Sequence, residues 1–212
     1  MSTNQIHTWQ GEFGRDYTDR NPKTVEEMNA LYEKSFGLTR TALNEGFVGD
    51  LDRSLSILEV GSNVGVQLIA LRDMGFTRLH GIEIQPYAVQ HAKKNIPEAP
   101  FVCGSALELP FADDAFDLVY TSGVLIHISP DHIGAAMDEI FRCSKRYIWG
   151  WEYCAESYVE ITYHGRDVLL WKTNFARLYL DHFPTLDMVK ERRVKYLDSE
   201  NQDNMFLLEK RY

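Results

Sequence analysis

The stretch LEVGSNVGVQLIAL, Leu58 to Leu71, constrains this chain more than any other. A short apolar run, Ser56–Val60, meets a turn bracketed by Gly61 and Gly65 and passes at once into a helical pattern over Gly65–Met74. Glycines at both ends of so short a turn let the backbone bend sharply and let another group come close to it. The same alternation then repeats. Arg78–Ile84 reads as a second strand, and Pro86 suits the first turn of a helix over 86–95. Ala99–Cys103, Phe116–Thr121 and Lys145–Trp151 read as further strands, with a helix over 131–143 before the last. Strand alternating with helix predicts parallel strands, right-handed crossovers and helices on both faces of one sheet.

The flanks are less regular. Residues 1–21 have no clear period, although Trp9, Phe13 and Tyr17 recur at a spacing of four. Thr24 and Glu27 form a capping box, and the apolar positions after it predict one amphipathic helix over 24–44. Towards the other end, Tyr158–Tyr163 reads as an extra strand and Trp171–His182 as a helix. Arg192–Leu197 and Met205–Arg211 read as a closing pair of strands. The basic KERRVK run at 190–195 fits an edge strand whose charges guard against pairing with another chain. With no internal repeat, low-complexity segment or linker, a single domain over 1–212 is expected. It comprises an N-terminal lid and helix (1–46) and a sheet core (55–212).

In an open parallel sheet, ligands bind beyond the carboxyl ends of the strands, and the turn after the first strand is such a place. A dinucleotide site wants G-x-G-x-x-G, whose second glycine gives the pyrophosphate close approach. Here Asn63 stands at that position, and Glu59 puts a negative charge at the mouth. That charge opposes phosphates and suits an ammonium or sulfonium group. Glu83 comes 22 residues after Gly61, the distance at which an acid reaches a ribose hydroxyl pair. A ligand with a ribose and a positive charge but no phosphate is S-adenosylmethionine. The formal net charge of −9 argues against a protein that grips phosphate backbones, so no nucleic-acid partner is expected. The three cysteines form no C-x-x-C pair and His164 and His182 stand alone, so neither a disulfide framework nor a metal site is expected. The polar first twenty residues lack the apolar core of a signal peptide, and no apolar run approaches the ~18 residues that span a bilayer. A cytoplasmic location without membrane contact is expected, with the oligomeric state open.

The pieces ILEVGSNVG (57–65), HGIEI (80–84), VCGSALELPFADDAFDLVYTSGVLIHI (102–128) and the late strand pair stand in a telling order. Over about 55–212 the chain resembles the class I S-adenosylmethionine-dependent methyltransferases. The resemblance implies an α/β Rossmann-like fold, with a seven-stranded, mostly parallel sheet whose last strand is antiparallel. It implies that Glu59 and the Gly61–Gly65 turn, with Ser62 and Asn63, hold the amino acid part of the cofactor. Glu83 would bind the ribose, Ile84 would lie against the adenine, and Ser105 and Ala106 would meet its edge, with Thr121 completing the set. Many relatives carry Asp where Ser105 sits, and a hydroxyl there makes a weaker hydrogen bond. The N-terminal WQGEFGRDYTDRNP (9–22) is similar to the group called pseudaminic acid biosynthesis-associated methylases. That similarity implies a substrate near nonulosonic-acid or surface-glycan metabolism. The Trp9, Phe13 and Tyr17 stripe reads either as a helical core face or, as favoured here, as a helical lid that excludes water from the cofactor, with Tyr17 against it and Arg20 at its carboxylate.

His127 follows the fourth strand, where an acceptor would lie, and a neutral imidazole can take a proton near pH 7. The apolar VLIHI context offers a structural histidine as the other reading. Glu152 and Tyr153 end the fifth strand and are alternative catalytic groups. TSGVLIHI stands where N-P-P-Y or D-P-P-Y would mark enzymes acting on exocyclic amines of DNA bases. The expected activity is methyl transfer from S-adenosylmethionine to a small polar acceptor of the sugar or sugar-nucleotide kind. The alternatives are N-methylation of an amino group on a small molecule or peptide, and a non-catalytic S-adenosylmethionine-binding partner.

Overall fold

Two short helices, α1 (Asn4–Gln10) and α2 (Glu12–Arg20), open the computed structural model, which describes residues 4–211. The aromatic stripe is one cluster: the Trp9 ring lies 5.2 Å from Phe13 and 5.1 Å from Tyr17, both edge-on. Next comes α3 (Val25–Phe36), with half of the expected capping box: the Thr24 hydroxyl accepts from Glu27 N–H at 3.2 Å, while the Glu27 carboxylate accepts from Lys23 N–H rather than from Thr24 N–H. The single helix expected over 24–44 is two. Gly37, at φ 70°, ends α3 in the left-handed conformation, and Thr39 caps a new helix, α4 (Arg40–Val48), by accepting from Ala42 N–H. Glycine inside a helix costs about 1 kcal/mol relative to alanine, and a threonine N-cap contributes about as much. Together these two preferences outweigh the continuous apolar pattern.

The chain clusters into two units, Met1–Ala106 and Leu107–Tyr212. In the first, β1 (Ser56–Val60) is buried along its whole length, as a strand covered on both faces must be. It leads through the glycine turn into α5 (Val66–Asp73). β2 (Arg78–Glu83) pairs parallel to β1, and α6 (Pro86–Asn95) begins with proline at its first position, as predicted. β3 (Phe101–Cys103) pairs parallel to β2.

In the second unit, β4 (Phe116–Ser122) is followed by a 3-10 turn (Leu125–His127) and by α7 (Ile133–Cys143). β5 (Ser144–Cys154) pairs parallel to β4. Of the expected strand Tyr158–Tyr163, only β6 (Val159–Glu160) is extended. It pairs with β7 (Trp171–Lys172), at the start of the expected helix. That helix, α8 (Phe175–His182), begins later because the Asn174 side chain caps it, accepting from Arg177 N–H at 3.0 Å. β8 (Leu186–Lys195) is longer than read from the sequence, and β9 (Gln202–Lys210) runs antiparallel to both β5 and β8. The seven long strands have the order β3-β2-β1-β4-β5-β9-β8, with the final strand in sequence antiparallel to its neighbours. The charged strand β8 is an edge, as its composition implied.

Candidate functional site

In the first unit the strand ends and the glycine turn bring most of the expected cofactor residues together. Glu59 is the penultimate residue of β1, opposite Gly81 of β2, and is 3% exposed. After β1 the backbone turns through Gly61 (φ 76°), Asn63 (φ 45°) and Gly65 (φ 84°). Gly65 caps α5 at a φ that strains any larger residue, and a Cβ there would sit tightly, 3.1 Å from Ile96 and 3.2 Å from Phe101. Ser62 Oγ and Asn63 Oδ1 are buried and make no hydrogen bond among the described residues. Buried polar atoms in that state are costly unless something fills them.

Glu83, at the end of β2, does more than the sequence suggested. One carboxylate oxygen accepts from Asn63 N–H and the other from Gln85 N–H, both at 2.8 Å. It therefore ties the glycine turn to the start of α6. Burial raises its pKa, and the amides of Gln85, Asn63 and Ile84 pull it back. A carboxylate offers about four acceptor positions, so at least one remains for a hydroxyl. Ile84 is half-buried beside it. Gly104 N–H donates to Glu83 O at 3.0 Å, which sets Ser105 and Ala106 at the same strand end. Tyr17 is half-buried in the aromatic cluster, and Arg20 is exposed at the end of α2.

In the second unit, Thr121 is buried near the end of β4, and its hydroxyl bonds Glu152. Glu152 is 1% exposed on β5 and accepts from Val124 N–H at 3.1 Å and Ile126 N–H at 3.4 Å. Its carboxylate thus organises the turn that carries His127. Burial pushes its pKa up to about 7 against these hydrogen bonds. The His127 ring packs 5.2 Å from Tyr163, and its Nδ1 lies 2.8 Å from Leu169 O. A carbonyl only accepts, so Nδ1 carries the proton and Nε2 keeps its lone pair. Burial lowers the His127 pKa to about 4. Tyr153 is half-buried, with the Lys172 ammonium 4.8 Å from its ring centre. Sequence reading missed Gln85 and the amide-holding role of Glu152. The first had one signal: the residue before a helix-starting proline is a capping position.

Among the described residues no group of three or more His, Cys, Asp or Glu side chains could hold a metal ion. Nor is any helix among them long and apolar enough to cross a membrane.

Residues 58–147, under half of the chain, match the family model described as methyltransferase domain. An uncharacterized methyltransferase of Synechocystis sp. is 33% identical over 89 residues, 42% of each chain. The chain spans less than half the length of the curated relatives it matches. Among solved structures, magnesium protoporphyrin IX methyltransferase from Synechocystis with bound S-adenosylmethionine superposes with a TM-score of 0.71, at 14% identity and 99% coverage of both chains. The 1,6-didemethyltoxoflavin-N1-methyltransferase of Burkholderia thailandensis, solved with its substrate and S-adenosylhomocysteine, gives 0.65 at 17% identity, over 81% of this chain and 76% of that one. At these identities the likeness is one of fold: the seven-stranded Rossmann-like methyltransferase sheet.

Proposed function

We propose that the chain is an S-adenosylmethionine-dependent methyltransferase, working as one domain over 1–212, whose acceptor is a small polar molecule of the sugar or sugar-nucleotide kind in surface-glycan metabolism. The observation that carries the cofactor reading is the turn after β1: an acidic, buried Glu59 beside polar atoms of Ser62 and Asn63 that lack hydrogen bonds. This cradle suits a zwitterion with a positive sulfur and repels a pyrophosphate. When bound, the cofactor supplies a methyl group on a sulfonium centre that needs little further activation. The residues' tasks are then to hold, orient and exclude water. Glu59, Ser62 and Asn63, with the Gly61–Gly65 backbone, hold the amino acid part. Glu83 takes the ribose, and Ile84, Ser105 and Ala106 line the adenine. Tyr17 and Arg20 close over it from the lid. Thr121, the remaining residue of the expected set, bonds Glu152 on β5. The similarity of residues 9–22 to pseudaminic acid-associated methylases supports the glycan acceptor.

For the acceptor, His127 is the proposed base, since the Nδ1 bond to Leu169 O sets its tautomer and makes Nε2 the basic nitrogen. Glu152 and Tyr153 support it. The lowered basicity of His127 favours a second reading, N-methylation, because a neutral amine needs no proton removed before attack.

Titration calorimetry tests the cofactor reading. S-adenosylmethionine and S-adenosylhomocysteine should bind in the micromolar range and NAD should give no binding heat. Comparable NAD affinity would refute it. Binding without turnover on any component of a labelled metabolite extract would point to the non-catalytic partner instead. Glu83→Ala should weaken cofactor binding by roughly 1–3 kcal/mol, the cost of leaving buried hydroxyls unpaired. An unchanged dissociation constant in the folded variant would move the ribose elsewhere.

A further inference from the structure

Gln85 joins two parts of the first unit that the sequence keeps 74 or more residues apart. It is 5% exposed. Its backbone N–H donates to Glu83, and its side-chain oxygen accepts from Tyr87 N–H at 3.1 Å, capping α6. Its side-chain amide donates to the carbonyls of Trp9 at 3.0 Å and Gly11 at 2.9 Å. Those carbonyls lie at the break between α1 and α2, and Gly11 O also accepts from Arg15 N–H at 3.2 Å in the first turn of α2. Gly14 makes the approach feasible, because a Cβ there would lie 1.8 Å from Trp9 O and 3.0 Å from the Gln85 amide nitrogen. Two further links between these elements are exposed: Tyr87 donates to Asp19 at 2.9 Å, and the Arg15 guanidinium lies over the Tyr87 ring at 4.8 Å. Solvent screens such contacts, whereas the Gln85 amide donates from a buried residue. Serine would cap α6 as well but would not reach the lid.

We propose that Gln85 is a positioning residue that couples docking of the α1–α2 lid to occupation of the adenosine pocket through Glu83, an inference that rests on the S-adenosylmethionine reading above. Coupling of this kind is reciprocal: a docked lid strengthens cofactor binding, and bound cofactor holds the lid. Gln85→Ser keeps an oxygen for Tyr87 N–H and removes both amide donors, so the melting temperature should stay while the coupling goes. Hydrogen exchange over residues 4–20 and calorimetry with S-adenosylhomocysteine read this out in the full chain. In the wild type the ligand should slow lid exchange. In Gln85→Ser, ligand-free lid exchange should quicken and binding should weaken, each about tenfold, the scale of two lost hydrogen bonds. Gly14→Ala, which displaces the Trp9 carbonyl, should do the same. The double variant should bind no more weakly than the worse single one, since both break one link. Unchanged lid exchange in Gln85→Ser, or additive losses in the double variant, would overturn the proposal. If the wild type bound no S-adenosylhomocysteine, the cofactor reading and the coupling would fall together, and the ligand-free exchange would show separately whether Gln85 docks the lid.

Discussion

Replacing His127 with alanine should cut turnover on the true acceptor about a hundredfold or more, the usual loss for a general base. Cofactor affinity should barely move. Alanine also deletes the bond to Leu169 and the packing on Tyr163, so a second variant is needed. Asparagine places an N–H near the position of Nδ1 and has nothing at Nε2. If His127 is the base, both variants are slow. If it only pegs the 155–172 segment, asparagine restores the rate. The pH profile separates the cases further. A base works when neutral, and burial lowers this imidazole to about 4. The wild-type rate should therefore stay flat through neutrality and fall only as the pH drops through about 4. A limb near the ordinary imidazole value would mean that the group responsible is not His127 in this setting.

Glu152→Gln should change how stability depends on pH by on the order of 3 kcal/mol, the linkage equivalent of a buried carboxyl raised to about 7. The sign follows from the direction. A raised pKa means the folded state prefers the protonated acid, so the group's stabilisation is complete below the unfolded carboxyl pKa and is lost as pH rises through about 7. Glutamine is neutral throughout and can still accept from Val124 and Ile126. The variant should melt near the wild type at about pH 5 and clearly above it at about pH 8. Glu83, also raised by burial, leaves a smaller slope in both proteins. Parallel curves across this range would mean that Glu152 does not titrate there.

The parts of the fold legible in the sequence are those where one strong local signal agrees with burial. β1 is an uninterrupted apolar strand, and α6 starts at a proline whose fixed φ suits a first turn. The misreadings came from competition between weak terms. Gly37 with Thr39 broke a helix whose apolar spacing continued, and Asn174 delayed one whose aromatic residue at Trp171 belongs to a short strand. β8 was cut short because an edge strand needs no apolar alternation along its exposed rim. In the candidate site, positions were more legible than partners. Glu59 and Glu83 announce themselves as strand-end acids. That Glu83 holds Asn63 and Gln85, and Glu152 holds the turn before His127, depends on backbone amides whose directions no side-chain pattern encodes.

The boundary at Ala106 also divides the chemistry along the chain. Apart from Thr121, every residue proposed to hold the methyl donor precedes it, and every proposed catalytic group follows it. On the proposed roles, substitutions after Leu107 other than at Thr121 bear on the acceptor step, and substitutions up to Ala106 bear on the methyl donor.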